Sequence, residues 1–247
     1  MSRDVRKPLT ARSAVLSLLL GAHPGRLSAA ELVLATGYLG ITESTARVAL
    51  TRAVASGDLV RTDDGYALGA RLVDRQSRQD ESVAHALAPW DGTWEQVVIV
   101  EAGRAAADRA ALRTTLTRRR LSELREGVWM RPANLGRRTA GDGSTVMFTV
   151  GPVADPAGLA ARLWDLRAWA ERGEELIDEL ADTTEPALRL SIAADLVRHL
   201  TDDPLLPVDL LPAEWPGDRL RSVYAQYQDE LRTAWIGRAA RVGTSAS

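Results

Sequence analysis

The stretch ITESTARVALTRAVASGDL, residues 41–59, carries two patterns at once. Ala46, Ala49, Leu50, Ala53 and Val54 recur at i, i+3, i+4, i+7 and i+8, the spacing that gathers apolar side chains on one face of an α-helix. Ser44, Arg47, Thr51 and, one step round, Arg52 fall largely away from that face. Thr42 is placed to accept a hydrogen bond from a first-turn N–H, and Gly57 to end the helix in a left-handed turn. Any surface helix has a solvated side. The flanking residues decide what this one is for.

Upstream, Thr10 is placed to cap a helix over 11–21, closed by Gly21 and an HPG turn. Ser28 with Glu31 three residues on forms a capping box for a second helix that runs through LVLAT and stops at Gly37. The link GYLGI is short and holds two glycines, as the turn of a helix-turn-helix does. Downstream, LVRTDDGYAL predicts a strand, an Asp64-Gly65 turn and a second strand with Tyr66 and Leu68 on one face. Helix, helix, turn, helix and hairpin together predict a winged helix over residues 1–69. In such a module the third helix lies in the DNA major groove, where small hydroxyls let the backbone approach and arginine reaches guanine edges or phosphates. The DNA-binding candidates are therefore Ser44, Thr45, Arg47, Thr51 and Arg52. Arg61, at the base of the wing, is either a phosphate contact or an exposed strand-end charge.

The 247 residues exceed one typical domain. Hydrophobic residues at 45% and charged residues at 26% are those of an ordinary globular chain. The net charge of −2 is unevenly spread: residues 1–78 hold 11 Lys/Arg against 7 Asp/Glu, and the remainder 20 against 26. A mildly basic first third on an acidic remainder fits a nucleic-acid module carried by a non-binding body. The absence of cysteine excludes disulfides, thiolate metal sites and cysteine nucleophiles. Arg3, Arg6, Lys7 and Arg12 before AVLSLLLGA superficially resemble a secretory signal, but that apolar run is only as long as a core helix and leads straight into another. No stretch is long enough to span a bilayer. The expected location is the cytoplasm.

Residues 70–89 are expected to form a polar connecting helix with DRQSRQDE fully solvated. Over 90–153, WDGTWEQVVIVE, an Ala/Leu/Arg helix, the hairpin LSELREGVWMRP bent near Gly127 and the strand TVMFTV predict a small ferredoxin-like α+β domain. Its second helix has only ANLGRRTAGDGS to occupy and is reduced or missing. Residues 154–243 predict a helical domain, with helices near 156–181, 185–201 and 218–240 and the Pro/Leu-rich run RHLTDDPLLPVDLLPAEWPGD as an extended buckle. Residues 244–247 are a frayed tail. The fold class is α+β, mainly helical.

Four segments in this order resemble the PaaX-type transcriptional repressors, named for the regulator of phenylacetic acid degradation: GITESTARVALTRAVASGDLV, WDGTWEQVVIV, LREGVWMRP and RHLTDDPLLPVDLLPAEWPG. The resemblance spans nearly the whole chain. It implies a DNA-binding homodimer with a winged helix, a ferredoxin-like middle domain and a helical C-terminal domain. It further implies repression of a catabolic operon on double-stranded operator DNA, released by a small anionic effector such as an acyl-coenzyme A thioester. Arg198, His199 and Trp215 are the effector-binding candidates, because the family's distinctive C-terminal run passes through them.

The remaining chemistry is thin. His23, His85 and His199 lack metal-ligand spacing, and GDGST at 141–145 lacks the lysine of a phosphate-binding loop. No cofactor and no metal are expected. The rival reading is a metal-dependent nuclease on the ferredoxin-like domain, with Asp91, Glu95, Glu101 and Asp108 around Mg²⁺. Against it, Glu95 reads as the outward residue of an alternating strand, and acids near Glu101 and Asp108 suit a helix start. The tryptophans at 90, 94, 129, 164 and 169 read as core anchors.

Overall fold

The computed structural model describes residues 6–84, 87–101, 103, 105–135 and 143–244, with the backbone alone from 236 onward. Its architecture is α+β and mainly helical. It divides into two compact units, one of Met1–Ala84, Arg172–Asp202 and Pro216–Ser247, the other of His85–Glu171 and Asp203–Trp215. The segment 154–243, expected as one helical domain, contributes to both.

The first unit opens with α1 (Ala11–Gly21), β1 (Arg26–Ser28), α2 (Ala29–Tyr38), α3 (Glu43–Ala55), β2 (Leu59–Arg61), β3 (Gly65–Leu68) and α4 (Ala70–Ala84). The caps are local and as expected. Thr10 Oγ1 accepts from Ser13 N at 3.2 Å, Ser28 and Glu31 close a complete capping box, and Thr42 Oγ1 accepts from Thr45 N at 3.3 Å. Gly57 takes φ +73° beyond the end of α3, a conformation glycine adopts without cost. Val15, Leu19, Leu32, Leu50, Ala53, Leu59 and Leu68 form the core under the three helices.

The expected hairpin is a three-stranded antiparallel sheet, ordered β1-β3-β2. The added strand is only three residues long, too short to have a hydrophobic period of its own. It also gives Gly65 a different duty from the expected turn. Gly65 pairs with Ser28, and a Cβ there would sit 2.2 Å from Leu27 O. Close approach of β1, rather than turn geometry, requires the glycine. Likewise α4 is not fully solvated. Gln76 is buried and donates to Leu20 O at 2.9 Å and Ala22 O at 2.8 Å, closing the carbonyl end of α1.

In the same unit the end of α7 (Leu166–Asp182), α8 (Pro186–Thr201) and α9 (Gly217–Thr244) pack onto the N-terminal module. Arg6 bridges Glu179 and Asp195, Arg221 Nε donates to Ser82 O at 3.0 Å, and Gln228 Nε2 reaches Gly21 O at 3.4 Å. The single helix expected over 156–181 is two, α6 (Pro156–Leu163) and α7. Trp164 is extended, and Asp165 restarts the helix by accepting from Ala168 N at 3.0 Å.

The second unit contains β4 (Trp94–Ile99), α5 (Ala106–Arg118), β5 (Ser122–Arg125), β6 (Val128–Pro132), β7 (Thr145–Val150), α6 and the first turn of α7. Its sheet is ordered β5-β6-β4-β7 with all neighbours antiparallel, the arrangement of a ferredoxin-like sheet. Gly127 turns the β5–β6 hairpin at φ +77°. Residues 136–142, where a second helix would belong, lie outside the described residues and include the first two of GDGST. Leu112 and Leu116 of α5 cover the Val97 and Trp129 face. The opposite face seats Trp94 and Met130 against Ala160, Leu163, Leu206 and Leu210. Trp215, at the end of the buckle, stacks on Trp169 at 4.2 Å between ring centres. Among the described residues no helix is long and apolar enough to cross a membrane.

Candidate nucleic-acid interface

On α3 the burial follows the sequence period. Ala46, Ala49, Leu50 and Ala53 are buried, while Ser44, Thr45, Arg47, Thr51 and Arg52 are all exposed and share the arc opposite. Val48, which the apolar count passed over, stands at the centre of that arc and is 51% exposed. A lone exposed valine carries no periodic signal, so only its place among the hydroxyls marks it. An apolar contact of this kind suits a thymine methyl.

The two arginines are not equivalent. Arg47 lies along the helix and is held by Glu43, with Nε at 2.9 Å and a terminal nitrogen at 2.5 Å from one carboxylate oxygen. The Arg52 guanidinium makes no hydrogen bond or ion pair among the described residues and is available. Thr51 Oγ1 is turned inward onto Arg47 O at 3.0 Å, and the Thr42, Ser44 and Thr45 hydroxyls bond one another at the first turn. Arg61 leaves β2 into solvent with its guanidinium 5.9 Å from the Tyr66 ring. Beside it the turn between β2 and β3 is acidic, with Asp63 and Asp64 exposed.

Asp58 anchors the end of α3. It is 3% exposed and takes Arg71 of α4, Ser56 Oγ at 3.0 Å and Arg12 of α1 on its two oxygens. The Arg71 contact, with help from Ser56 and Arg12 and against the cost of burial, holds its carboxyl below the ordinary value of 3.8. The end of α3 is thus tied to α1 and α4 by one carboxylate.

The effector candidates fall in different units. Arg198, paired with Asp195 at 2.5 Å, and the half-buried His199 belong to the first, and Trp215 to the second. His85 lies outside the described residues. The acids of the nuclease reading are already engaged or apart. Asp91 accepts from Thr93 N at 3.0 Å and Thr93 Oγ1 at 2.6 Å. Glu95 is not outward as expected. It is 8% exposed on the α5 face of the sheet, directly across from Arg131, because β4 is a central strand covered on both sides. Among the described residues no three His, Asp or Glu side chains come together as metal ligands.

The class defined by these parts is a three-helix module with a small antiparallel sheet, built into a mainly helical α+β protein, with a polar third helix facing outward. Comparison with known proteins narrows this. The model of PaaX-like proteins matches residues 10–75, that of the central Cas2-like domain of PaaX proteins 87–141, and that of the PaaX-like C-terminal domain 164–238. The chain belongs to the PaaX-like family. It is also similar to the solved structure of the uncharacterized protein Rv0674 from Mycobacterium tuberculosis, with 47% identity and a TM-score of 0.81 over 92% of this chain and 98% of that one. No curated protein matches it significantly. Membership points to a transcriptional regulator that binds DNA.

Proposed function

We propose that this protein is a homodimeric repressor that reads a two-fold operator through α3 and is released by a small anionic effector, such as an acyl-coenzyme A thioester. The observation that carries the reading is the outward arc of α3. Ser44, Thr45, Arg47, Val48, Thr51 and Arg52 are all exposed, on a helix whose other side is the core of the module. One such helix spans roughly half of a useful site, so specificity calls for two, about one or two helical turns of DNA apart. Support for self-association comes from β7, the edge strand of its sheet, whose Val146 and Phe148 are 40% and 48% exposed. An effector that favours a subunit arrangement unsuited to the half-sites weakens DNA binding, and by linkage DNA weakens the effector equally. Footprinting on upstream DNA tests this: two protected half-sites bound by a dimer are expected. Protection of one half-site by a monomer overturns the dimeric reading.

A further inference from the structure

The first unit encloses a cavity of about 480 Å³, within the size range of small-molecule sites. Apolar and aromatic side chains form much of its wall: Leu18 and Leu20 of α1, Leu190 and Val197 of α8, Tyr224 and Trp235 of α9. Among its polar groups are Arg75 and Gln79 of α4, one helical turn apart and so on one face; His23 is bonded to Asp80, and Gln228 to Gly21 O and Tyr224 Oη. Oε1 of Gln79 is buried without a hydrogen-bond partner, a state that buried polar atoms rarely keep unless a ligand or water completes them. Arg75 is exposed where the cavity meets solvent, with no acid paired to it among the described residues. Partial burial, together with the guanidiniums of Arg198, Arg71 and Arg78, makes its charge costly. Of the other charged groups in the wall, Arg232 is paired with Asp229, and Glu31 is engaged by Ser28 N. Arg26 adds a further exposed cation without a carboxylate. The charged lining thus sets three arginines against two acids, both acids already engaged, and leaves Arg75 and Arg26 without a carboxylate.

We propose that this cavity binds a small organic anion, its apolar or aromatic body between α1, α8 and α9 and its negative group at Arg75, and that occupancy by it alters DNA binding. The second half rests on the regulatory reading above; the first does not. The coupling is direct, because the cavity wall also includes Arg26 and Leu27 of β1 and Glu31 and Ala35 of α2. α2 packs on α3, so a ligand that sets the spacing of α8 and α9 against α2 acts on the helix behind the reading face.

The test uses the full chain and 8-anilino-1-naphthalenesulfonate, an aromatic anion whose fluorescence rises on burial. Saturable binding of one probe per chain is expected. Arg75→Ala should weaken it about tenfold, the scale of one lost charge-assisted contact, with Arg75→Lys largely retaining it. Arg75 is unpaired and its charge is costly, so its removal should not lower the thermal midpoint. Benzoate and benzoyl-coenzyme A then serve as competitors. Displacement by the free acid, by the thioester or by both identifies the source of the anion. Probe affinity of Arg75→Ala within twofold of wild type, or displacement by neither competitor, overturns the site. Operator affinity measured with and without the displacing anion decides the second half, and equal affinities overturn it. An Arg52→Ala variant that loses DNA while keeping the probe separates the two failures.

Discussion

Arginine serves both the outward face of α3 and the interior of the middle-domain sheet, and the two uses differ in how the charge is held. Arg131 is 3% exposed. It donates to Pro132 O at 2.9 Å and to Asn134 Oδ1 at 2.9 Å, with Glu95 at 3.8 Å and Asn134 passing a further bond to Leu205 O. Every direction its guanidinium points is filled by its own chain. Arg52 is exposed with no such partner, and Arg47 has one carboxylate, itself in water. A buried arginine with a full set of acceptors is part of the fold, and removing it strands those acceptors. An exposed and loosely held one contributes little to stability and keeps its donors for a ligand. The residue type is the same; burial separates the roles.

The sharpest break of this comparison is Arg131→Ala. Leaving Glu95 and Asn134 buried without their partner should destabilise the second unit by about 3–5 kcal/mol, read by chemical denaturation. The paired replacement Arg131→Met with Glu95→Leu should recover much of that, since both charges leave together. Unchanged stability of the single variant would mean that the buried guanidinium is not structural.

Next in size is Arg52→Ala. It should weaken specific operator binding by about 1–3 kcal/mol if the residue reads a base, with no change in thermal midpoint. Arg47→Ala should cost less, because Arg47 must first leave Glu43. Anisotropy titrations and melting curves on the same samples check both, and a stability loss without a binding loss would reverse the assignment.

Asp58 lies between the two extremes, buried itself but held by arginines that reach solvent. Its folded pKa is below its unfolded value of about 3.8, so its contribution is present above that pH and lost as pH falls through the folded value. Asp58→Asn should therefore cost about 1 kcal/mol at neutral pH, discounted for the exposure of Arg12 and Arg71, and the gap to wild type should close below pH 4. The smallest effect belongs to Arg61→Ala. Specific and non-specific DNA should weaken alike, with the slope of log affinity against log salt reduced by about one.

Much of the N-terminal module was legible in the amino-acid order alone. Thr10, Ser28 with Glu31, Thr42 and Gly57 act on backbone groups within a turn of themselves, and Ala46, Ala49, Leu50 and Ala53 are buried because the helical period is a local property. The same holds for the hairpin at Gly127. The outward residues of α3 follow from that period, which is why the candidate reading face could be listed before any coordinates. What only the tertiary structure decided involves partners far along the chain. Gly65 is a glycine because β1, some 40 residues earlier, lies against it. Gln76 in an apparently solvated run is buried because it closes the end of α1. Glu95 turns inward because both faces of its sheet are covered and Arg131 stands opposite. The cavity at Arg75 exists because α8 and α9, more than 100 residues later, fold back onto α1 and α4. Short-range hydrogen bonding and periodicity are written into neighbouring residues. A cavity, by contrast, is a property of surfaces that meet, and no single stretch of sequence contains both.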